Sequence, residues 1–197
     1  MLTRAKFDEA LGWSSEPGKR IAVFGALLAH ETGLGPGLVI TGGSAMTIYS
    51  ENRISSDDVD VVGDRRKITP ILKRWGFTPE EDPDDGRVYW RRDDLSLAVD
   101  IIHRSGKAGP GRPGSPQMIS TGSGIVYVAA VEDLIVRRLV FWSREGNPKL
   151  LDHAVLLFFE YRSEIDLEYL EGEVRYERVE AAYRELRRLA ESSAGPR

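Results

Sequence analysis

Three aspartates carry most of the chemistry that this sequence can be expected to perform. Asp58 and Asp60 alternate in DDVDVV at 57–62, and Asp100 interrupts a second apolar run, LSLAVDIIH at 95–103. Charged residues are seldom buried without partners, and an isolated charge inside such a run is costly. Either these strands have a solvated face, or their carboxylates meet cations. Hard divalent ions take oxygen ligands, and converging carboxylates are what two-metal phosphoryl transfer requires. Upstream, Gly42-Gly43-Ser44 precedes the helical stretch that starts at Ala45. Glycines let a backbone approach an anion closely, the first N–H groups of the helix would point at it, and the Ser44 hydroxyl adds a donor. The same tripeptide serves equally well as a plain helix start. Arg53 lies between the two motifs and either contacts phosphate or pairs locally. The lysine-bearing phosphate loop GxxxxGK[ST] is absent, and GLGPG at 33–37 does not match GxGxxG.

The elements that must position these residues follow from periodicity. Residues 3–12 read as a short amphipathic helix, and Ile21, Phe24, Leu27 and Leu28 mark another over 18–32. GLVIT at 37–41 reads as a short buried strand. In 57–62 the acids take one face and Val59 and Val61 the other, because strand side chains alternate; Asp57 falls opposite Asp58, at the strand entry. A helix is expected over 66–75, with Gly76 behind it. Strands 87–92 and 95–103 flank Asp93-Asp94, a hairpin turn. Residues 104–117, RSGKAGPGRPGSPQ, form a long loop, either a surface loop or one that gates a site. A buried strand is expected over 124–131, then helices over 132–141, 149–160, 166–170 and 173–191. His30 and His153 lack metal-ligand spacing, and His103 falls on the face opposite Asp100.

Mixed strands and helices followed by helices alone imply an α/β (α+β) fold. The expected division is a catalytic domain over 1–131 and a helical region over 132–197. The net charge of −4 gives no bulk signal for nucleic-acid binding. There is no cysteine, which excludes disulfides, thiolate zinc sites and cysteine nucleophiles. The N-terminal residues lack a signal-peptide core and no apolar run is long enough to span a bilayer, so a soluble, cytoplasmic protein is expected.

Gly43-Ser44, Asp58, Asp60 and Asp100 together resemble the DNA polymerase beta-type nucleotidyltransferase superfamily, whose pattern is a Gly-Ser turn, an acid-x-acid strand and a third acid on a nearby strand. The context GGSAM…R…SSDDVDVV is similar to its minimal and AbiEii-like branch, which includes type IV toxins of toxin–antitoxin systems. VYVAAVEDLIVRRL and LLDHAVLLF resemble later elements of that branch, and the likeness spans roughly 20–170. It implies a mixed sheet with flanking helices and a C-terminal helical region. It further implies transfer of a nucleoside monophosphate from an NTP, ATP among them, to an acceptor hydroxyl on tRNA, a protein or an aminoglycoside-like small molecule. A non-catalytic nucleotide-binding module of the same fold is the other outcome, and an antitoxin partner would accompany a toxin. Two Mg2+ ions, with Mn2+ as a substitute, would sit on Asp58, Asp60 and Asp100, the last also serving as general base. Gly42, Gly43 and Ser44 would hold the triphosphate with Arg53. Lys149 is the counterpart of a lysine that contacts the triphosphate, although NPKLLDHA departs from the usual lysine–acid spacing.

Overall fold

The architecture is that of a computed structural model, described for residues 1–12, 15–56, 58–83, 86–102 and 114–193. Asp57, His103 and 104–113 of the expected loop lie outside the described residues. The chain forms two compact units whose boundary falls between Val128 and Ala129.

The first unit is built on a seven-stranded mixed sheet. Its strands are β1 (Val39–Ile40), β2 (Asp58–Val62), β3 (Thr78–Glu81), β4 (Val88–Arg92), β5 (Leu97–Ile102), β6 (Gln117–Thr121) and β7 (Gly124–Val128), in the order β3-β4-β5-β2-β1-β7-β6. The β2–β5 and β1–β7 pairs are parallel and the other pairs antiparallel. Helices α1 (Arg4–Gly12), α2 (Pro17–Thr32), α3 (Gly42–Tyr49) and α4 (Arg65–Arg74) complete the unit. Val59, Val61, Val99, Val126 and Val128 are buried on one sheet face. Helix α2 packs closely there, since a Cβ on Gly25 would come within 2.6 Å of Val126 and 2.9 Å of Ile40. Phe7 stacks on Trp75 at 4.2 Å and meets Phe24 edge-on at 6.1 Å, which ties α1 to the core. Removing such aromatic surface from water supplies much of the driving force.

The second unit consists of α5 (Val131–Glu145), α6 (Pro148–Glu160), α7 (Leu167–Glu177) and α8 (Glu180–Ser193). Asn147 and Asp166 cap α6 and α7 through their side chains, each accepting a backbone N–H from the first turn. Buried Glu132 accepts the Asp166 N–H at 2.8 Å, and Asp133 accepts the Tyr169 hydroxyl at 2.6 Å. That bond and burial push the Tyr169 phenol above its ordinary range, with burial the larger cause. Among the described residues, no helix is long and apolar enough to cross a membrane.

Four expectations need correction. Gly42-Gly43-Ser44 is the first turn of α3 rather than a turn ahead of it, with Thr41 as N-cap. The strand expected over 124–131 stops at Val128, because Val131 already opens α5. The single helix expected over 173–191 is two helices, broken where Arg178 adopts φ +59°. Strands β3 and β6 were not anticipated at all.

Candidate functional site

The register of β2 against β5 creates the site. Asp60 stands opposite Asp100 across the parallel pair, and Asp58 stands opposite Ala98. Adjacent strands lie about 4.8 Å apart, so the two opposed aspartates are immediate neighbours across the pair. Because Val61 pairs with Ile40, which meets α2, alternation sends Asp58, Asp60 and Asp100 to the opposite sheet face.

Helix α3 is fixed to this strand by its first turn. The Gly43 N–H donates to Asp60 Oδ2 at 2.9 Å. Gly42 has φ +59°, and a Cβ there would lie 1.9 Å from Asp60 Oδ2, so both backbone shape and space require glycine. Ser44 is fully buried. Its hydroxyl donates to Asp58 O at 2.8 Å and accepts the Asp60 N–H at 2.8 Å. The Ser44 proton thus goes to β2. The residue works as a staple that holds both aspartates in place.

Asp58 accepts from Ser56 Oγ at 2.9 Å. Asp100 meets the Arg87 guanidinium at 3.8 Å, and that guanidinium lies 5.6 Å from the Tyr89 ring centre. Tyr89 is the β4 partner of Asp100. Sequence reasoning passed over Arg87 and Tyr89. The alternation in RVYWRR does place 87 and 89 on one face, but only the β4–β5 register brings them to the acid.

Arg53 is set apart from the α3 N-terminus. Its Nε donates to the carbonyl of Ser50, the C-cap at the other end of the helix, at 3.0 Å. Eight helical residues span about 12 Å, so the backbones of Arg53 and Gly43 are not neighbours along α3. Lys149 belongs to the second unit, where it is exposed in the first turn of α6 and its N–H is capped by Asn147 at 3.1 Å. One turn on, burial and the nearby Arg138 charge hold His153 below its ordinary pKa.

A cavity of about 450 Å³ opens where β2 and β5 begin, lined by Asp58, Val59, Leu97 and Ala98 together with the first turn of α2. Asp58 thus links the acid face to a concave space of a size that suits small molecules.

The donors fit divalent cations in kind, being carboxylate oxygens, and in register, with Asp60 facing Asp100. In the rotamers present, no group of three acids or histidines is arranged around one point among the described residues. Ligation of one ion by all three would require a side-chain rotation, such as Asp60 turning from the Gly43 N–H.

No family model and no curated protein matches the chain. Solved structures do. ANT(2″)-Ia in complex with adenylyl-2″-tobramycin is 17% identical and covers 77% of this chain and 95% of its own, with a TM-score of 0.51. An antigenic nucleotidyltransferase-like protein from Paracoccidioides brasiliensis is 16% identical and covers 83% of this chain and 88% of its own, with a TM-score of 0.50. The antibiotic-resistance factor ANT(2″)-Ia in solution is 19% identical over 80% of this chain and 93% of its own, with a TM-score of 0.49. At such identities the likeness speaks for architecture alone, a mixed sheet with flanking helices and a C-terminal helical region of the nucleotidyltransferase-like kind.

Proposed function

We propose that the chain is a metal-dependent nucleotidyltransferase that moves a nucleoside monophosphate from an NTP to a hydroxyl of a small molecule. The observation that carries this reading is Asp60 facing Asp100 across parallel strands, with Asp58 on the same face and the α3 N-terminus against Asp60. Asp58, Asp60 and Asp100 would hold Mg2+ or Mn2+, which when bound polarise the triphosphate and acidify the acceptor hydroxyl.

The chain's own residues supply the rest. Asp100 takes the proton as the acceptor oxygen attacks the α-phosphorus; the new O–P bond forms and the α–β bridge breaks, releasing pyrophosphate. The first N–H groups of α3, Gly43 foremost, receive phosphate oxygens. Ser44 keeps Asp58 and Asp60 in position from behind. Arg53 is proposed as a further triphosphate contact, for which Arg53→Ala should raise the KM for NTP several-fold and leave kcat unchanged.

A small-molecule acceptor is favoured over tRNA or protein because one protein of this fold was solved with adenylyl-2″-tobramycin. A toxin of the AbiEii-like type has no specific observation in its favour. The test is transfer from α-labelled NTPs, all four offered in Mg2+, to pooled small molecules, RNA and protein. Label on a small molecule is expected, with losses of about 10²–10³-fold or more in Asp60→Ala and Asp100→Ala if charge stabilisation dominates. Near-full transfer in either variant would reject the site. Label on tRNA or protein, with growth arrest on overexpression, would move the acceptor to the toxin class.

A further inference from the structure

The cavity at the start of β2 and β5 holds a charge that nucleotidyl transfer does not use. Its floor is apolar, from Ile21, Val59 and Leu97, and its rim carries the hydroxyl residues Ser15, Ser56 and Ser96. Two arginines and two aspartates also line it. Three of these four are already engaged. Arg91 pairs with Glu80 at 3.2 Å and with Asp93 at 3.8 Å, and Asp58 accepts from Ser56.

Arg20 differs. It is half-buried, and its Nη2 donates to the Leu95 carbonyl at 2.6 Å. Among the described residues no carboxylate pairs with it, and its remaining N–H groups have no protein acceptor. Its place in α2 adds to the anomaly. The N-cap of that helix is Glu16, which pairs with Lys19 at 2.8 Å, and the first turn itself holds Arg20 with no acid, a poor place for a cation beside the helix dipole. A partly desolvated guanidinium with unspent donors is costly until an anion reaches it, and its planar fork matches a carboxylate or a phosphate.

We propose that this cavity binds a small anion-bearing molecule, with its carboxylate or phosphate on Arg20 and its hydroxyl groups toward Ser56, Ser96 and Asp58. On the transferase reading, from which the proposal takes only this role, that molecule is the acceptor. Its charge sets it apart from a cation such as tobramycin, which would meet Arg20 as a like charge. Asp58 and Asp93 disfavour a second negative group, so one anionic group at one end is the expected pattern.

Calorimetry on the whole chain, without nucleotide or metal, tests this with glycerol 1-phosphate, glycerate, glycerol and tobramycin. At least one of the two anions is expected to bind, and which one does so identifies the group. Glycerol and tobramycin should bind more weakly than that anion. Arg20→Gln should weaken the anion tenfold or more, and Arg20→Lys should restore part of the loss, with melting temperatures unchanged. If Arg20→Gln does not fold, Ser15→Glu, which places a carboxylate at the rim, should abolish anion binding instead. Anion affinity equal in wild type and Arg20→Gln, no anion binding at all, or tobramycin binding tightest would each overturn the proposal. The transfer assay is independent of this result. Arg20-dependent anion binding without transfer retires the enzyme reading and keeps the pocket, and transfer without it does the reverse.

Discussion

Arg92 and Arg20 are two arginines of the same unit with opposite surroundings. Arg92 on β4 has only 2% of its side chain exposed. Its Nε and Nη2 grip Asp94 at 3.0 and 2.7 Å, Nη1 and Nη2 grip Asp8, and Nη1 also reaches the Trp75 carbonyl at 2.7 Å. The Phe7 ring lies 5.9 Å from the guanidinium. Every donor is spent on the protein, and the result is a rivet joining α1, the end of α4 and the β4–β5 turn. Arg20 spends one contact on a carbonyl and lines a cavity. A buried charge that the protein satisfies completely has a structural role, whereas one left unsatisfied beside a cavity points to a ligand.

Breaking the rivet should have the largest effect on stability. Removing Arg92 breaks hydrogen bonds to charged groups, a loss of about 1.5–3 kcal/mol, while Asp8 and Asp94, both partly exposed, regain water. Arg92→Met should therefore lower the urea midpoint by an amount equivalent to that range, a large share of the roughly 5–15 kcal/mol that a domain possesses. A change below about 1 kcal/mol would show that water replaces these bonds in full.

Gly42→Ala comes next. A non-glycine residue at φ +59° costs about 1–3 kcal/mol. The new Cβ would also push Asp60 off the α3 N-terminus, so transfer should fall by more than the stability loss explains. Denaturant midpoints and kcat from the same preparation separate the two, and an unchanged kcat would detach this glycine from the site.

The acid limb gives a smaller effect. Hydrogen bonds from Arg92 hold Asp94 at about 2, below its ordinary 3.8, with Arg92 and Arg4 charges adding to the shift. The folded chain thus binds the proton less tightly than the unfolded chain, so the contribution is complete above about pH 5 and disappears as pH falls through 4 toward 2. Urea midpoints of wild type and Asp94→Asn should differ at pH 6 and converge near pH 2. A constant difference across that span would mean that the carboxylate charge is not what matters.

Much of the site was legible because its signal is local. The alternation in DDVDVV and the lone acid in LSLAVDII placed Asp58, Asp60 and Asp100 correctly on strands, since period-two patterning survives in any half-buried strand. Their meeting was not legible, because pairing of β2 with β5 passes over α4 and two strands, and register across such a gap leaves no local trace. The edge strands failed for a different reason. TPEE of β3 is exposed at every position, and QMIST of β6 shows only a partial alternation. Neither buries a continuous face, so hydrophobic periodicity has nothing to report. The double role of Ser44 and the isolation of Arg20 depend on distant partners, Asp58 and Leu95, that composition cannot name.

The smallest expected effect is the one that keeps the two arginines apart. If Arg20 is held for a ligand, the fold gains little from it, and its replacement should behave like an ordinary surface change, within about 0.5 kcal/mol. Loss of the bond to the Leu95 carbonyl opposes this, while relief of a cation in the first turn of α2 favours it. Arg20→Gln should thus melt with wild type in the absence of ligand. The two should separate only when glycerol 1-phosphate or glycerate is added, because a ligand that binds the folded chain alone raises its midpoint by mass action. A loss near that of Arg92→Met, already present without ligand, would make Arg20 a second rivet and remove the contrast on which the pocket rests.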